Sequence, residues 1–292
     1  MAEAASGRVP MIQRSDRPQW TASHRGHVSD LPEFGKPPVA EVALGVQFRQ
    51  LYGMRAIELS ELRTRWADEY PVVEEQPPLA PVIEGPTGGP TTVQFVLGPP
   101  LMSRLWFLSE DRSSLVQLQP DRLVVNWRGL ATGSVYPRYP QVRKVFERRW
   151  SDVAQFVGER QLGSLEITQC ELNYINVIDW PPDEFGHLEL LLRNWREDSA
   201  HHLWAPQQVR IAMVFDIADL GRPPVRMHVS ADPAQRPDGT QTLFLTITVR
   251  GAPASATFEN AMEFLDGAHD HLVRSFAELT AETMHAKWER RR

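Results

Sequence analysis

Carboxylates and a histidine are the residues whose types and spacing best suit acid–base chemistry. Glu41 and Glu171 occupy equivalent places in two predicted strands. Two carboxylates brought close together raise one pKa and can share a proton or a metal ion. Asp266 and His269 lie one helical turn apart, so the aspartate can orient a basic imidazole or share a metal with it. The alternative for each glutamate is an ion pair with an arginine on a neighbouring strand, and the alternative for His269 is a hydrogen-bonded place in the core.

A second set of polar residues alternates with apolar ones along the predicted strands. Alternation places such residues on one shared face of an antiparallel sheet. Arginine pairs with phosphate or carboxylate, so this face is predicted to bind a polar or anionic ligand or a peptide, a solvated face being the alternative. Trp127 beside arginine is typical of a partner contact, with core packing as its alternative. The candidate binding residues are Gln117, Gln119, Asn126, Trp127, Arg128, Arg210, Arg226 and Arg250, and the face also carries Gln47, Asn173 and His228.

The sequence contains none of the common catalytic or cofactor motifs. It has no G-x-x-x-x-G-K-[ST], G-x-G-x-x-G, H-E-x-x-H or G-x-S-x-G segment. Its one cysteine, Cys170, excludes an internal disulfide and a multi-thiolate metal site, and its place on the apolar side of a strand favours an inert thiol. We therefore assign no catalytic residue, cofactor or metal from the sequence, which favours a protein that is not an enzyme.

Composition limits the class of protein further. The chain has 292 residues, 42% of them hydrophobic, and a net charge of −6, which suits a globular protein without bulk attraction to phosphate or anionic lipid. No run of about 18 apolar residues and no signal-peptide pattern is present, so we expect a cytoplasmic protein that does not enter a membrane. Nucleic acid, which is not favoured, would need a local basic patch. One such run, which a solvated helix face would also explain, is Arg138, Arg143, Lys144, Arg148 and Arg149.

The elements that must position these residues follow from hydrophobic periodicity. Val39–Phe48 alternates strictly and predicts a half-buried strand. In the last predicted helix, apolar residues recur every three or four positions from Phe258 onward, and His269 interrupts this stripe. Further helices are predicted at 57–70, 140–161 and 185–196, and further strands at 92–97, 104–109, 114–119, 122–128, 165–178, 209–217, 225–231 and 241–250.

The order strand, helix, several strands and long helix occurs twice. This repeat predicts an α+β protein of two similar halves, whose antiparallel sheets form a curved saddle backed by long helices, as in the TATA-binding-protein-like fold. The predicted boundaries are a flexible N-terminal tail at 1–36, a first half at 37–163 and a second half at 164–292. In such a saddle the strands of Glu41 and Glu171 lie near the junction of the halves, where the two carboxylates are expected to approach each other.

Several blocks of the sequence resemble a known family. These blocks are Pro37–Val42, Gln117–Gln119, Asn126–Arg128, Tyr136–Tyr139, Leu172–Asn176 and Leu265–His269, followed by Phe276, Thr280 and Trp288. In this order they resemble a sporadically distributed bacterial family of unknown function, from Pro37 to Trp288. The resemblance implies no activity, but a sporadic distribution is what mobile accessory or defence functions lead one to expect.

Three functional hypotheses follow from the sequence. The leading one is a non-catalytic binding or interaction protein that uses the polar sheet face, with a protein partner or a small polar or anionic ligand, as an accessory component of a mobile or defence-linked system. The second is an enzyme of unfamiliar type with its site at the junction of the halves, built from Glu41, Glu171 or Asp266 with His269. The third is a nucleic-acid-binding saddle that uses Arg210, Arg226 and Arg250.

Overall fold

The computed structural model describes residues 31–85, 104–129, 135–179, 191–193, 209–236 and 238–292. Within these ranges the chain forms nine strands and four helices. In chain order they are β1 (Val39–Phe48), α1 (Ala56–Trp66), β2 (Val72–Gln76), β3 (Arg104–Leu108), β4 (Ser114–Gln119), β5 (Arg122–Arg128), α2 (Tyr139–Glu159), β6 (Ile167–Asp179), β7 (Ile211–Asp216), β8 (Arg222–Gln235), β9 (Gln241–Ala252), α3 (Phe258–Leu279) and α4 (Glu282–Lys287).

The nine strands form one continuous antiparallel sheet in the order β2-β3-β4-β5-β1-β6-β9-β8-β7. β1 pairs with β6 along its whole length, from Val39 opposite Asn176 to Phe48 opposite Ile167. The predicted fold, two halves forming a saddle backed by long helices, is therefore wrong, because the hydrogen-bonded ladder continues through the middle of the molecule. Alternation in a sequence shows which face of a strand is buried, but it does not show which strand lies beside it.

The first strand follows the predicted alternation on its apolar side. Val42, Leu44 and Val46 are almost completely buried beneath the helices. Gln47, on the opposite face, is also buried, because a later segment of the chain covers it. The predicted turn between β4 and β5 is confirmed, since Gln119 lies directly opposite Arg122 and only two residues connect the strands.

The helices pack on one face of the sheet and close the core. α2 contacts β1 and β5, and α3 contacts β6 and β9. The predicted apolar stripe of α3 is confirmed, since Met262, Leu265 and Leu272 are buried. Each such side chain contributes roughly 1.5–3 kcal/mol of hydrophobic stabilisation. Thr257 precedes α3, and its hydroxyl accepts a hydrogen bond from the Asn260 amide at 3.4 Å, which caps the start of the helix.

Residues 31–36, at the end of the predicted N-terminal tail, pack against the C-terminal end of the chain. The Gly35 amide donates to the Glu289 carbonyl at 2.9 Å, and the Arg291 amide donates to the Glu33 carbonyl at 2.8 Å. Phe34 is buried against α3 and against residues near α4. These six residues are therefore built into the fold, and residues 1–30 of the predicted tail lie outside the described part of the chain.

Some predicted elements fall wholly or mostly outside the described residues. They are the strand at 92–97 and the helix at 185–196, of which residues 191–193 alone are described. There Leu192 forms an isolated β-bridge with Thr280. The division of the chain between 163 and 164 stays a prediction.

Candidate functional site

Side chains that point away from α2 and α3 form the polar face of the sheet. The strand register brings Arg122 beside Gln47, and it brings Arg250 beside both Arg226 and Glu171. Most of the residues predicted to bind a ligand lie on this face, and they are Gln117, Gln119, Asn126, Arg128, Arg226 and Arg250.

Residues 77–85, which follow β2 and are called the strap below, lie across the polar face. Gln47 Nε2 donates to the Val82 carbonyl at 2.8 Å, and Gln47 Oε1 accepts from the Val82 amide at 3.0 Å. Gln119 makes the same pair of hydrogen bonds with Leu79, both at 3.0 Å. Two side-chain amides of the sheet therefore each hold one residue of the strap through its backbone donor and its backbone acceptor.

The composition of the strap explains why its backbone is available to the sheet. Pro77, Pro78 and Pro81 each fix φ near about −65° and favour an extended conformation that makes no hydrogen bonds of its own. The carbonyl of Ala80 accepts a further hydrogen bond from Arg122 Nη2 at 3.0 Å. The sheet thus binds the strap much as a receptor binds an extended peptide.

Glu84, near the end of the strap, is the centre of a buried charged cluster. Its Oε1 accepts hydrogen bonds from His228 Nε2 at 2.8 Å and Arg250 Nη1 at 3.2 Å, and its Oε2 accepts one from Arg226 Nη1 at 3.2 Å. The Glu84 side chain is only 3% exposed. Burial alone would raise the pKa of Glu84, but the hydrogen bonds and charges of these three partners outweigh it and lower the pKa below its usual range.

Arg226 and Arg250 need an anionic partner because they lie directly opposite each other on β8 and β9. Like charges in such a cross-strand pair repel and destabilise a sheet. Glu84 binds both guanidinium groups, Asp216 accepts from Arg226 Nε at 3.2 Å, and Glu171 accepts from Arg250 Nε at 2.5 Å. The cluster is therefore a site for one buried carboxylate.

Strand alternation predicts Arg226, His228 and Arg250 on this face but gives no indication of Glu84. The segment from Pro77 onward has the composition of a loop, and no periodicity assigns its residues to a face. The one local signal is a carboxylate that directly follows the apolar pair Val82-Ile83.

The opposite end of the polar face is a network of side-chain hydrogen bonds. Gln117 Oε1 accepts from Arg104 Nη1 at 2.7 Å and from Trp106 Nε1 at 3.1 Å. Gln117 Nε2 donates to Asn126 Oδ1 at 2.7 Å, and Asn126 Nδ2 donates to Glu41 Oε1 at 2.6 Å. Burial raises the pKa of Glu41 against the opposing effect of the Asn126 hydrogen bond. The amides of this network are engaged with the protein itself.

Trp127 does not share a surface with its two neighbours in sequence. It lies opposite Val42, on the side of the sheet that faces the helices, and its ring centroid is 5.3 Å from that of Tyr136. Adjacent residues of a strand point to opposite faces, so Trp127 lies on the opposite face from Asn126 and Arg128, and its role as a partner contact stays a prediction. Core packing, the alternative for Trp127, fits its contacts.

Arg128 and Arg210 lie apart from the Glu84 cluster. Arg128 Nη2 donates to the Arg112 carbonyl at 3.0 Å, and its guanidinium lies 5.6 Å from the ring centroid of Trp106. Arg210 is 71% exposed, with its Nε 3.6 Å from Asp232 Oδ1. An exposed pair of that kind contributes at most about 1 kcal/mol.

Glu41 and Glu171 do not meet. Glu41 lies opposite Arg128, whereas Glu171 lies opposite Gly45, four residues farther along β1. This offset corresponds to about 13 Å along a strand. Glu171 pairs with Arg250 on the neighbouring strand, which is the alternative that the sequence offers for it. The two carboxylates therefore form no shared acid–base or metal site.

Asp266 and His269 lie one turn apart on α3 but have different partners. Asp266 accepts from Tyr139 Oη at 2.8 Å, and from Arg143 Nε at 2.7 Å and Nη2 at 3.0 Å. His269 Nδ1 lies 3.2 Å from Tyr174 Oη, and its ring stacks on Tyr139 with centroids 4.0 Å apart. Asp266 therefore orients Tyr139 and Arg143, and His269 is a half-buried residue held by a hydrogen bond and by stacking.

The basic residues of α2 are largely engaged in ion pairs. Arg148 Nη2 lies 2.7 Å from Glu69 Oε1. Arg149 is 1% exposed, contacts the same carboxylate at 3.3 Å and places its guanidinium 5.3 Å from the Trp66 ring centroid. Arg143 is bound to Asp266. Such neutralised charges do not favour a surface for nucleic acid.

In the described ranges, no three His, Cys, Asp or Glu side chains are placed to hold a metal ion. Among those same residues, the helices are too short or too polar to cross a membrane. The resemblance to a bacterial family of unknown function stays a prediction. No protein-family model matches the sequence, and no curated protein is significantly similar to it.

Proposed function

We propose that this protein is a non-catalytic interaction protein whose polar sheet face binds an extended acidic peptide of a partner, in the place that the strap occupies. The observation that carries the proposal is the carboxylate of Glu84, buried among Arg226, His228 and Arg250. A partner segment would place one Glu or Asp side chain in this cluster. Its backbone would lie along Gln47 and Gln119, as the backbone of the strap does.

Backbone hydrogen bonds and charged side-chain contacts would recognise different features of the peptide. Gln47 and Gln119 bind backbone groups, which every sequence offers, so they select an extended conformation. The arginine and histidine side chains select a carboxylate, because charge-assisted hydrogen bonds are about twice as strong as neutral ones. A proline-containing segment with one acidic residue satisfies both requirements, as the strap itself does.

The strap competes with such a partner from within the same chain. A segment tethered by a short connection acts at millimolar effective concentration, so a partner must bind better than the strap to replace it. A partner could form hydrogen bonds that the strap does not form. Arg122 Nε and Gln169 Oε1 are buried without a hydrogen-bond partner among the described residues. Both residues lie on β strands next to Gln47, on the covered face.

The test is to release the strap in the full-length protein and offer its sequence in trans. Val82→Pro removes the amide that Gln47 binds, and Glu84→Ala removes the carboxylate. We expect a fluorescein-labelled peptide with the sequence of residues 76–85 to bind this double variant, by fluorescence anisotropy, at least about tenfold more tightly than it binds the wild type. A peptide with Glu84→Gln should bind the double variant at least about tenfold more weakly, because a hydrogen-bonded charge is lost.

Ile83→Ala provides the matched control within the strap. Ile83 is 58% exposed, so its truncation should leave the face closed and peptide binding as in the wild type. Adding Arg226→Gln to the double variant should abolish the preference for glutamate over glutamine. A double variant that keeps its circular dichroism spectrum yet binds no peptide contradicts the proposal.

The class of partner can be tested by selection. A random peptide library panned on the double variant should become enriched in proline-containing sequences with one acidic residue. Enrichment of basic sequences, or no enrichment, would argue against an acidic peptide. A cytoplasmic location and an accessory role in a mobile or defence-linked system belong to the same proposal and rest on the sequence alone.

A further inference from the structure

A cavity of about 150 Å³ lies between the N-terminal residues 31–39, strand β6 and helices α2 and α3. Its walls are largely apolar and aromatic, with Phe34, Val39, Leu272 and Phe276 among them. An apolar cavity of this volume accommodates a benzene-sized molecule. Because it lies on the helix side of the sheet, the cavity is separate from the polar face and from the proposed peptide site.

One wall of the cavity carries a chain of three hydrogen-bonding groups. Tyr136 Oη lies 2.7 Å from Tyr174 Oη, which lies 3.2 Å from His269 Nδ1. If the tyrosine protons point toward the histidine, its Nε2 carries a proton and Tyr136 keeps a free lone pair. If they point the other way, Nε2 is an acceptor and the Tyr136 hydroxyl is a donor. In either case the two ends of the chain offer one donor and one acceptor.

The end of this chain at His269 is available to a ligand. Among the described residues, His269 Nε2 makes no hydrogen bond, while its ring is held against Tyr139 with an interplanar angle of 6°. Tyr139 is in turn fixed by its hydrogen bond to Asp266. Stacking on Tyr139 and the contact with Tyr174 therefore fix the position of the imidazole, and Nε2 can form a hydrogen bond with a ligand.

The hydrogen-bonding groups of the cavity wall are neutral. Burial lowers the pKa of His269 to about 4 and raises the pKa of Tyr136, so both are neutral near neutral pH. Of the charged residues in the lining, Glu33 pairs with Arg292 at 3.1 Å and Arg138 Nη2 donates to the Gly35 carbonyl at 3.4 Å. A cationic ligand would lose its hydration without gaining a free counter-charge, and an anionic ligand would meet only the guanidinium of Arg138, which already binds the Gly35 carbonyl and lies 5.8 Å from the Tyr136 ring centroid.

The backbone at the edge of the cavity is strained. Arg138 has φ 73° and ψ 154°, a combination that is nearly confined to glycine. Conformations of this kind persist only where the surroundings determine them, and they cluster at ligand sites. Arg138 directly precedes α2 and connects Tyr136 to Tyr139, so its conformation fixes where both rings lie.

We infer that this cavity binds a small, uncharged aromatic molecule with one hydroxyl group, of the size and chemistry of phenol. The ring lies among Phe34, Leu272 and Phe276. The hydroxyl group, which both donates and accepts, completes the hydrogen-bond chain at its free end.

Three fluorinated probes of nearly equal size test this inference with the full-length protein. We expect 4-fluorophenol to show saturable line broadening in ¹⁹F NMR at concentrations on the order of millimolar, as suits so small a ligand. Fluorobenzene, which lacks the hydroxyl group, should bind about fivefold more weakly, and 4-fluorobenzoate should not bind. The inference is overturned if 4-fluorophenol shows no saturation or binds no better than fluorobenzene.

Two variants locate the site and one serves as control. Val273→Phe narrows the cavity and should abolish binding of both neutral probes, while His269→Phe removes the free nitrogen and should abolish the fivefold preference for the phenol and leave fluorobenzene binding unchanged. Tyr52→Phe removes a hydroxyl group from a residue that is 83% exposed and outside the cavity, and it should alter nothing. Binding that survives Val273→Phe in a folded protein would place the ligand elsewhere and overturn the inference.

Discussion

The two faces of strand β6 lead to two sites of opposite chemistry. On one face, Glu171 contacts the cluster of Glu84 through Arg250. On the other face, Tyr174 lies among aromatic rings and neutral hydrogen-bonding groups. On the polar face, a carboxylate of the strap compensates the charges of the sheet arginines. In the cavity, the shape of the aromatic walls and the neutral state of the tyrosine and histidine side chains determine what can bind.

The two proposed binding sites therefore lie on opposite faces of one strand and depend on different interactions. Charge holds the strap on the polar face, so removal of a charge should affect that face and leave the cavity unchanged. Protonation of the neutral imidazole of His269 should affect the cavity and leave the polar face unchanged.

Loss of the Glu84 charge should destabilise the protein most. Glu84→Gln keeps the size of the side chain but leaves Arg226 and Arg250 opposite each other without their shared counter-charge. Breaking a buried ion pair costs about 3–5 kcal/mol, so we expect the free energy of unfolding to fall by about 3 kcal/mol in urea denaturation. Binding of 4-fluorophenol to the folded variant should be unchanged.

The matched control for this change is Glu75→Gln. Glu75 lies on the edge strand β2 and is exposed, so the same chemical change should alter the free energy of unfolding by less than about 0.5 kcal/mol. Equal effects of the two variants would show that the Glu84 cluster has no special electrostatic role.

Acid should weaken the cavity before it weakens the polar face. The pKa of His269 is lowered from 6.5 to about 4 by burial, so the unfolded chain takes up a proton at higher pH than the folded one. Stability is therefore lost as pH falls from about 6.5 toward about 4, by about 2 kcal/mol between about pH 7 and about pH 5. The nearby carboxylate of Asp266 opposes this shift, because it raises the pKa of His269, but the effect of burial is larger.

His269→Gln should remove this contribution, and the difference between the two curves of unfolding free energy against pH measures it. The contribution of the polar face is lost in the same direction but at lower pH, because the pKa of Glu84 is also lowered, from an ordinary value below that of histidine. Its contribution is fully present above the ordinary value of 4.5 and is lost only as pH falls further. Parallel curves for wild type and His269→Gln would contradict the assigned burial of the imidazole.

Local structure was predictable from this sequence, and contacts between distant elements were not. β1, β4 and β5 begin and end at the predicted residues, because strict alternation and a proline turn mark them. β2, with the sequence VVEEQ, shows no alternation and is not predicted. The order of strands in the sheet depends on pairing between residues far apart in sequence, which no local pattern specifies.

The same limit applies to the two sites. Strand alternation predicts that Arg226 and Arg250 lie on the polar face. The carboxylate that binds both, that of Glu84, comes from a loop 142 residues before Arg226. Tyr136, Tyr174 and His269 lie far apart in the sequence, and the packing of α2 and α3 on the same face of the sheet brings them together. Many of the residues in the two sites can therefore be predicted from the sequence, but the contacts between them depend on the tertiary structure.

The smallest predicted effect concerns a single hydrogen-bonded amide of the strap. Gln119→Leu removes both hydrogen bonds to Leu79 and leaves those of Gln47 to Val82 in place. Since a neutral hydrogen bond contributes about 1 kcal/mol, hydrogen exchange of the Leu79 amide should become about fivefold faster, measured by NMR. The Val82 amide is the internal reference, and it should change less if the two glutamines hold the strap independently. Equal acceleration of both amides would mean that the strap leaves the sheet as one unit, so that a partner must displace it whole.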